Sequence, residues 1–133
     1  MLMEIEKIKF KAKRLDNQEW VCGYFYEEND NTYIIENRQK ESKLNRNITY
    51  QVDPNTVCQF TGRVDKDGKE LYENDIIDFR TIMDVPLTGK IVWSDASSLF
   101  ELLNSNGHKM RELWKALDIK RKGSALDKED NHE

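Results

Sequence analysis

An acidic segment in the middle of the chain is the first place to look for chemistry. Carboxylates stand at Asp65, Asp67, Glu70, Glu73 and Asp75. An EF-hand loop uses Asp-x-Asp-x-Asp-Gly, so that alternating side chains reach one calcium ion. In this segment a lysine occupies the third ligand position and Glu70 occupies the glycine position. We therefore expect no metal site here.

The same segment carries strong signals for turns. Asp67-Gly68 is the clearest hairpin signal in the chain, because both residues tolerate positive φ. We predict that this pair forms the tip of a two-residue hairpin. Asp75 ends a second turn, and we predict that its carboxylate accepts hydrogen bonds from backbone amides there. Interleaved lysines should leave most of these carboxylates solvated, so acid–base catalysis is the weaker interpretation.

Other catalytic and cofactor motifs lack necessary parts. Neither His108 nor His132 has an evident carboxylate or cysteine partner in the sequence, and the chain contains no Gly-x-Ser-x-Gly elbow. No glycine-rich phosphate loop is present. Cys22 and Cys58 form no C-x-x-C pair, and we expect buried thiols rather than a Cys22–Cys58 disulfide, the alternative. We predict that the chain is not an enzyme and has no cofactor.

Aromatic residues between positions 20 and 26 form the best candidate interaction surface. Trp20, Tyr24 and Tyr26 would share one face of a strand with Cys22. Core packing or self-association is the favoured role, because a β domain needs aromatic core residues. The alternative is a stacking platform for single-stranded nucleic acid, helped by nearby basic residues, namely Lys11, Lys13 and Arg14.

The elements that must position these residues are mostly strands. Alternation at Ile8, Phe10 and Ala12 predicts a half-buried strand, and the segments 20–26, 32–35 and 48–52 follow it after short polar turns. These segments indicate an antiparallel meander. Further strand signals lie at 56–61, 76–79 and 90–93, while 98–103 fits a strand or a helix. The predicted class is mainly β, a meander followed by a small, bent, SH3-like unit.

One short helix is expected near the C-terminus, over residues 108–118. Met110, Leu113, Trp114 and Leu117 recur at the spacing of one helical face. Such a short helix needs packing to be stable. We therefore expect Leu113, Trp114 and Leu117 to pack within their own chain.

The predicted organisation has three parts. Residues 1–53 form an N-terminal meander subdomain, with a polar mobile loop at 36–47, and residues 54–122 form the barrel-like subdomain. The charged end, 123–133, is predicted to be a disordered tail. Pro54 supports the boundary, because it disfavours helix at the preceding residue.

Composition narrows the possible partners. The chain has 133 residues, 21 basic and 25 acidic, and a net charge of -4. This balance gives no general attraction to phosphate, so nucleic-acid binding would need a local basic patch. No window is apolar enough for a membrane span, and Glu4 and Glu6 interrupt the N-terminal apolar residues, so we expect no membrane contact and no signal peptide. The expected location is the cytoplasm.

A resemblance to a known family rests on the middle of the chain. Residues 53–62 include Thr-Val-Cys-Gln-Phe-Thr-Gly, and residues 65–77 read Asp-Lys-Asp-Gly-Lys-Glu-Leu-Tyr-Glu-Asn-Asp-Ile-Ile. They resemble the signature of the YopX family, T-V-x-Q-[FY]-T-G and then D-K-[ND]-G-K-E-[IL]-Y-E-x-D-I-[IV]. Cys58 replaces the usual glycine, and the family's last strand is matched only loosely by residues 119–124. The resemblance implies an all-β protein of prophages and mobile elements, and no activity.

Two functional hypotheses follow from these observations. The favoured one is a non-enzymatic protein-interaction or oligomerisation module that self-associates partly through Trp20, Tyr24 and Tyr26, or binds an unknown protein. The alternative is a nucleic-acid-binding accessory protein that uses the basic residues in 7–14 and 38–46. Net acidity favours the first hypothesis.

Overall fold

The structure, a computed structural model, describes residues 8–36 and 48–127. It is mainly β and divides into two compact units, residues 1–60 and 61–133. The division lies after Phe60, within a strand, and not after residue 53 as predicted. The predicted loop lies outside the described residues, except that Glu36 ends a strand.

The first unit is an antiparallel sheet in the order β4-β3-β2-β1-β5. Its strands are β1 (Phe10–Lys13), β2 (Trp20–Glu28), β3 (Asn31–Glu36), β4 (Ile48–Val52) and the start of β5 (Cys58–Val64). Asn29 and Asp30, both at positive φ, join β2 to β3 in a tight turn, as their residue types favour. The predicted N-terminal meander is thus present.

One side of this sheet provides the core of the first unit. Ala12, Val21, Ile34 and Val52 are buried together, one from each of β1 to β4. Phe10, Tyr50 and Val57 pack against them. Ala12 pairs with Val21 in the β1–β2 register, so the alternation at the start of the chain does mark a core face.

The second unit contains a five-stranded antiparallel sheet in the order β10-β9-β8-β7-β11. The strands of this sheet are β7 (Asp75–Arg80), β8 (Pro86–Ser94), β9 (Leu99–Leu103), β10 (Lys109–Glu112) and β11 (Leu117–Ser124). The second unit also contains β6 (Glu70–Tyr72), which lies outside this sheet and pairs with β5. Eight buried residues form its core: Leu71, Ile77, Phe79, Ile91, Leu102, Leu113, Ala116 and Ile119. The SH3-like character of this unit stays a prediction.

The predicted helix at 108–118 is wrong. Gly107 donates its N–H to the carbonyl of Asn104 in a tight turn, so the following residues pair with β9 as strand β10. A 3-10 turn at Leu113–Lys115 then leads into β11. A helix of three turns is only marginally stable by itself. Pairing in a hairpin gives the same backbone N–H and C=O groups their hydrogen-bond partners, and Leu113 is buried in this arrangement.

The end of the chain also differs from the prediction. The predicted tail begins inside β11, which pairs with β7 through Gly123 and Ser124. Two backbone hydrogen bonds continue this order, from Ala125 to Asn74 and from Asp127 to Ser124. The remainder of the tail, 128–133, lies outside the described residues.

Candidate interaction surfaces

The acidic segment builds a structural network in which Asp75 is central. The Asp75 side chain is fully buried, and its Oδ2 accepts a hydrogen bond from the Tyr72 backbone N–H at 2.9 Å. Arg121 on β11 donates to both carboxylate oxygens of Asp75, at 2.9 and 3.1 Å. This bidentate pair holds the 72–75 turn against β11, and the pairing raises the pKa of Arg121.

Asp65 closes the same network from the hairpin side. One of its oxygens accepts from the backbone N–H groups of Asp67 and Lys69, and the other accepts from the N–H of Arg121. Burial disfavours the charged carboxylate, but these hydrogen bonds outweigh burial and hold the pKa of Asp65 below its ordinary value. No clear signal in the sequence indicated that Asp65 links the hairpin to β11, because its partner there, Arg121, is 56 residues away along the chain.

Asp67 and Gly68 lie in the hairpin between β5 and β6, as a turn of five residues and not of two. Asp65 N–H donates to the Lys69 carbonyl, and Gly68 N–H donates to the Asp65 carbonyl. Gly68 has a φ of 83°, which only glycine adopts easily. The Asp65 side chain organises this longer turn, because it accepts from two of the turn's N–H groups.

The histidines and cysteines considered for catalysis or metal binding do not form a cluster in the part of the chain that the structure describes. Within 8–36 and 48–127, no group of three or more His, Cys, Asp and Glu side chains could hold a metal ion. His108 sits in the exposed β9–β10 turn, and His132 lies outside the described residues. Cys22 and Cys58 form no disulfide. Cys58 is buried as expected, but Cys22 is exposed, because its side chain lies on the face of β2 opposite Val21.

The aromatic face is the surface of β2 formed by Trp20, Tyr24 and Tyr26, the three residues singled out from the sequence. Tyr24 is 36% exposed, and Trp20 and Tyr26 are partly buried. Tyr26 stacks on Tyr33 of β3, with ring centroids 5.0 Å apart. Side-chain contacts along the sheet therefore already use part of this aromatic surface.

Trp20 is engaged by two lysines from the neighbouring strand. The Nζ atoms of Lys11 and Lys13 lie 4.5 and 5.3 Å from its ring centroid, within the range of a cation–π contact. Both lysines are buried, with relative exposures of 9% and 6%. The pairing register explains the contact, because Lys13 is opposite Trp20 and Lys11 is opposite Cys22. These cations are therefore packed into the face and extend little into solvent.

The second unit exposes a different surface, an apolar groove that the sequence analysis missed. Ile82 in the β7–β8 loop, Trp114 in the 3-10 turn and Leu117 at the start of β11 line it, together with Arg111 and Lys115. The groove has a volume of about 410 Å³. The apolar residues are 85%, 64% and 51% exposed respectively. The expectation that Trp114 and Leu117 pack within their own chain is wrong.

The charged side chains near the groove differ in whether they form ion pairs with one another. Glu112 pairs with Lys109 at 3.1 Å and with Lys115 at 3.4 Å. Its own backbone N–H and these lysines, Lys109 first, lower the pKa of Glu112 to about 2. The Arg111 guanidinium instead donates to the Met110 carbonyl at 2.8 Å. Arg111 forms no ion pair with a carboxylate in the described part of the chain.

The 3-10 turn explains why the sequence analysis misplaced these side chains. Three apolar residues at helical spacing would share one face of a helix. In the extended and 3-10 backbone, Leu113 enters the core while the adjacent Trp114 lies on the surface. One sequence signal could have revealed the groove. Residues 82–85 carry three apolar side chains, Ile82, Met83 and Val85, in a segment between two predicted strands, and apolar residues in a loop indicate an exposed apolar surface.

The fold and these surfaces define an all-β protein of two units with an exposed apolar groove. The family model of the YopX protein matches residues 6–120. The chain therefore belongs to the YopX family, as its signature segments indicated. A search of curated proteins gave no match. Nothing helical among the described residues has the length and apolar character needed to cross a membrane.

Proposed function

We propose that this YopX-family chain is a non-enzymatic protein-interaction module of a prophage or other mobile element, and that it acts in the cytoplasm. The apolar groove carries this proposal. Large apolar side chains are seldom left exposed together in one place unless they contact another molecule. Tryptophan is also enriched among the residues that dominate protein interfaces.

The experiment is affinity purification of the tagged protein from its native host, with and without nuclease treatment. We expect proteins, including untagged copies of this chain, to be retained after nuclease treatment and lost from a Trp114→Ala variant. The matched control is Trp93→Ala, because Trp93 is also exposed but lies outside the groove. Retention that is equal for the wild type and both variants would refute the groove as the functional surface.

Nucleic-acid binding remains a second candidate, supported by one observation. Lys11 and Lys13 lie beside Trp20, and aromatic rings next to cations suit unstacked bases. The burial of both lysines and the net charge of -4 weigh against it. Retention on single-stranded DNA that falls steeply with salt, and that a Lys11→Gln/Lys13→Gln variant abolishes, would favour this candidate over the first.

A further inference from the structure

The β7–β8 loop, residues 81–85, is an exposed apolar projection next to the groove. Met83 is 79% exposed at its tip, between Ile82 and Asp84. The loop has a defined shape, because Thr81 N–H donates to the Val85 carbonyl and Asp84 N–H donates to the Thr81 carbonyl. It therefore presents its apolar tip without needing to order first on binding.

The loop and the groove are complementary in both polarity and charge. The loop offers a flexible, unbranched methionine, which fits irregular apolar depressions well. Next to Met83, Arg80 Nη1 donates to Asp84 Oδ1 at 3.1 Å, and the Asp84 side chain remains 82% exposed. The groove offers the Trp114 ring, and beside it Arg111, which lacks an ion pair among the described residues.

We propose that two copies of this chain associate about a two-fold axis, with the 81–85 loop of each copy seated in the apolar groove of the other. Met83 then covers the Trp114 ring, and Asp84 faces Arg111 across the contact. A surface that carries both a projection and its matching groove is self-complementary, which is the requirement for a closed two-fold contact. This inference rests on the proposed function and names its partner as a second copy.

The proposal replaces the aromatic face as the site of self-association. Side chains of the aromatic face already contact neighbours within the sheet, whereas Met83, Trp114 and Leu117 are half or more exposed. Each half of the two-fold contact would remove these three exposed apolar side chains from water.

The test is sedimentation velocity of the purified chain across a hundredfold dilution series. We expect a reversible monomer–dimer equilibrium in the wild type. Arg111→Glu should weaken it at least tenfold, because it places a second carboxylate opposite Asp84 in both halves of the contact. Asp84→Lys should do the same by placing two cations together. The double variant Arg111→Glu/Asp84→Lys should recover the dimer, since both pairs are restored with their signs exchanged.

Two further variants separate this arrangement from other contacts. Met83→Asp should abolish the dimer, while Trp93→Ala, outside the groove, should leave it unchanged. Melting temperatures identify any variant that has lost its fold. A monomer at all concentrations, or a dimer that survives both single charge reversals, overturns the proposal. A monomer that still captures host proteins through Trp114 overturns this inference alone, whereas capture independent of Trp114 overturns the proposed function.

Discussion

The aromatic face of the first unit and the apolar groove of the second unit each place a tryptophan near two basic side chains, but the two tryptophans differ in what they contact. On the aromatic face, Tyr26 stacks on Tyr33, and Trp20 lies against two lysines from the next strand. In the groove, the Lys115 ammonium lies 5.3 Å from the centroid of the Trp114 ring, and the Trp114 side chain remains 64% exposed. Aromatic content alone therefore does not identify an interface; the deciding quantity is the surface left over after packing within the chain.

The difference has a geometric origin. The aromatic face lies in the middle of an antiparallel sheet, where directly opposed residues on adjacent strands touch. The two most exposed apolar residues of the groove, Ile82 and Trp114, instead lie in a loop and a 3-10 turn, outside the paired strands, and Leu117 lies at the first position of β11, opposite Arg80. Regular strand pairing gives the side chains of the aromatic face neighbours to pack against. The irregular backbone of the groove leaves its apolar side chains exposed.

The largest expected effect on stability comes from adding a methyl group to β2 at Gly23. A Cβ at Gly23 would lie 2.0 Å from the Ile35 carbonyl oxygen, so Gly23→Ala must separate β2 from β3. We expect a loss of about 3 kcal/mol in unfolding free energy, measured by urea denaturation. The comparison in the second unit is Gly89→Ala, where the closest atom is the mobile Met110 methyl. Its expected cost is about 1 kcal/mol, and equal costs would contradict the contrast between the two regions.

The two tryptophans give an intermediate effect and a direct test of the contrast. Trp20→Ala removes the partly buried ring next to the Nζ atoms of Lys11 and Lys13, and we expect it to cost about 2 kcal/mol. Trp114→Ala removes a ring that is mostly in water, and we expect a change within about 0.5 kcal/mol in the monomer. Urea denaturation at low protein concentration measures both. A larger loss for Trp114 than for Trp20 would mean that Trp114 packs within its own chain.

The smallest effect concerns the polar network that supports the second unit. The pKa of Asp65 is lower in the folded chain than in the unfolded chain, so its contribution is complete above the unfolded value, about 3.9. That contribution is lost as pH falls through the lower, folded value. In Asp65→Asn we expect a melting temperature a few degrees lower at neutral pH, approaching that of the wild type in acid.

The control for this measurement is Asp67→Asn, which removes a charge from the same hairpin without removing the bonds of Asp65. Thermal melting monitored by circular dichroism, from neutral pH into acid, measures both variants. A constant difference between wild type and Asp65→Asn over the whole pH range would show that the lost hydrogen bonds matter and the charge does not.

The sequence by itself determined the β class, the N-terminal meander, the hairpin position and the family. Each of these depends on neighbours along the chain: alternation in β1 to β4, positive φ at Gly68, and an unbroken signature segment. The hydrogen bond that the Asp75 carboxylate accepts from a turn amide was also predictable, because the donor, Tyr72, is only three residues away. The burial of Asp75 was not predicted, since most carboxylates of this segment were expected to be solvated.

Only the tertiary structure decided the remaining features. The C-terminal segment satisfies both helical and strand patterns, and pairing with β9 decided between them. Arg121 meets Asp65 and Asp75 across a separation of 46 residues or more, so no local pattern could reveal that network. The groove likewise forms because β7 and β11 are neighbours, which brings the turn after Arg80 beside Leu117. Local chemistry fixes which conformations a segment tolerates, and long-range pairing selects one of them and with it the side chains left exposed.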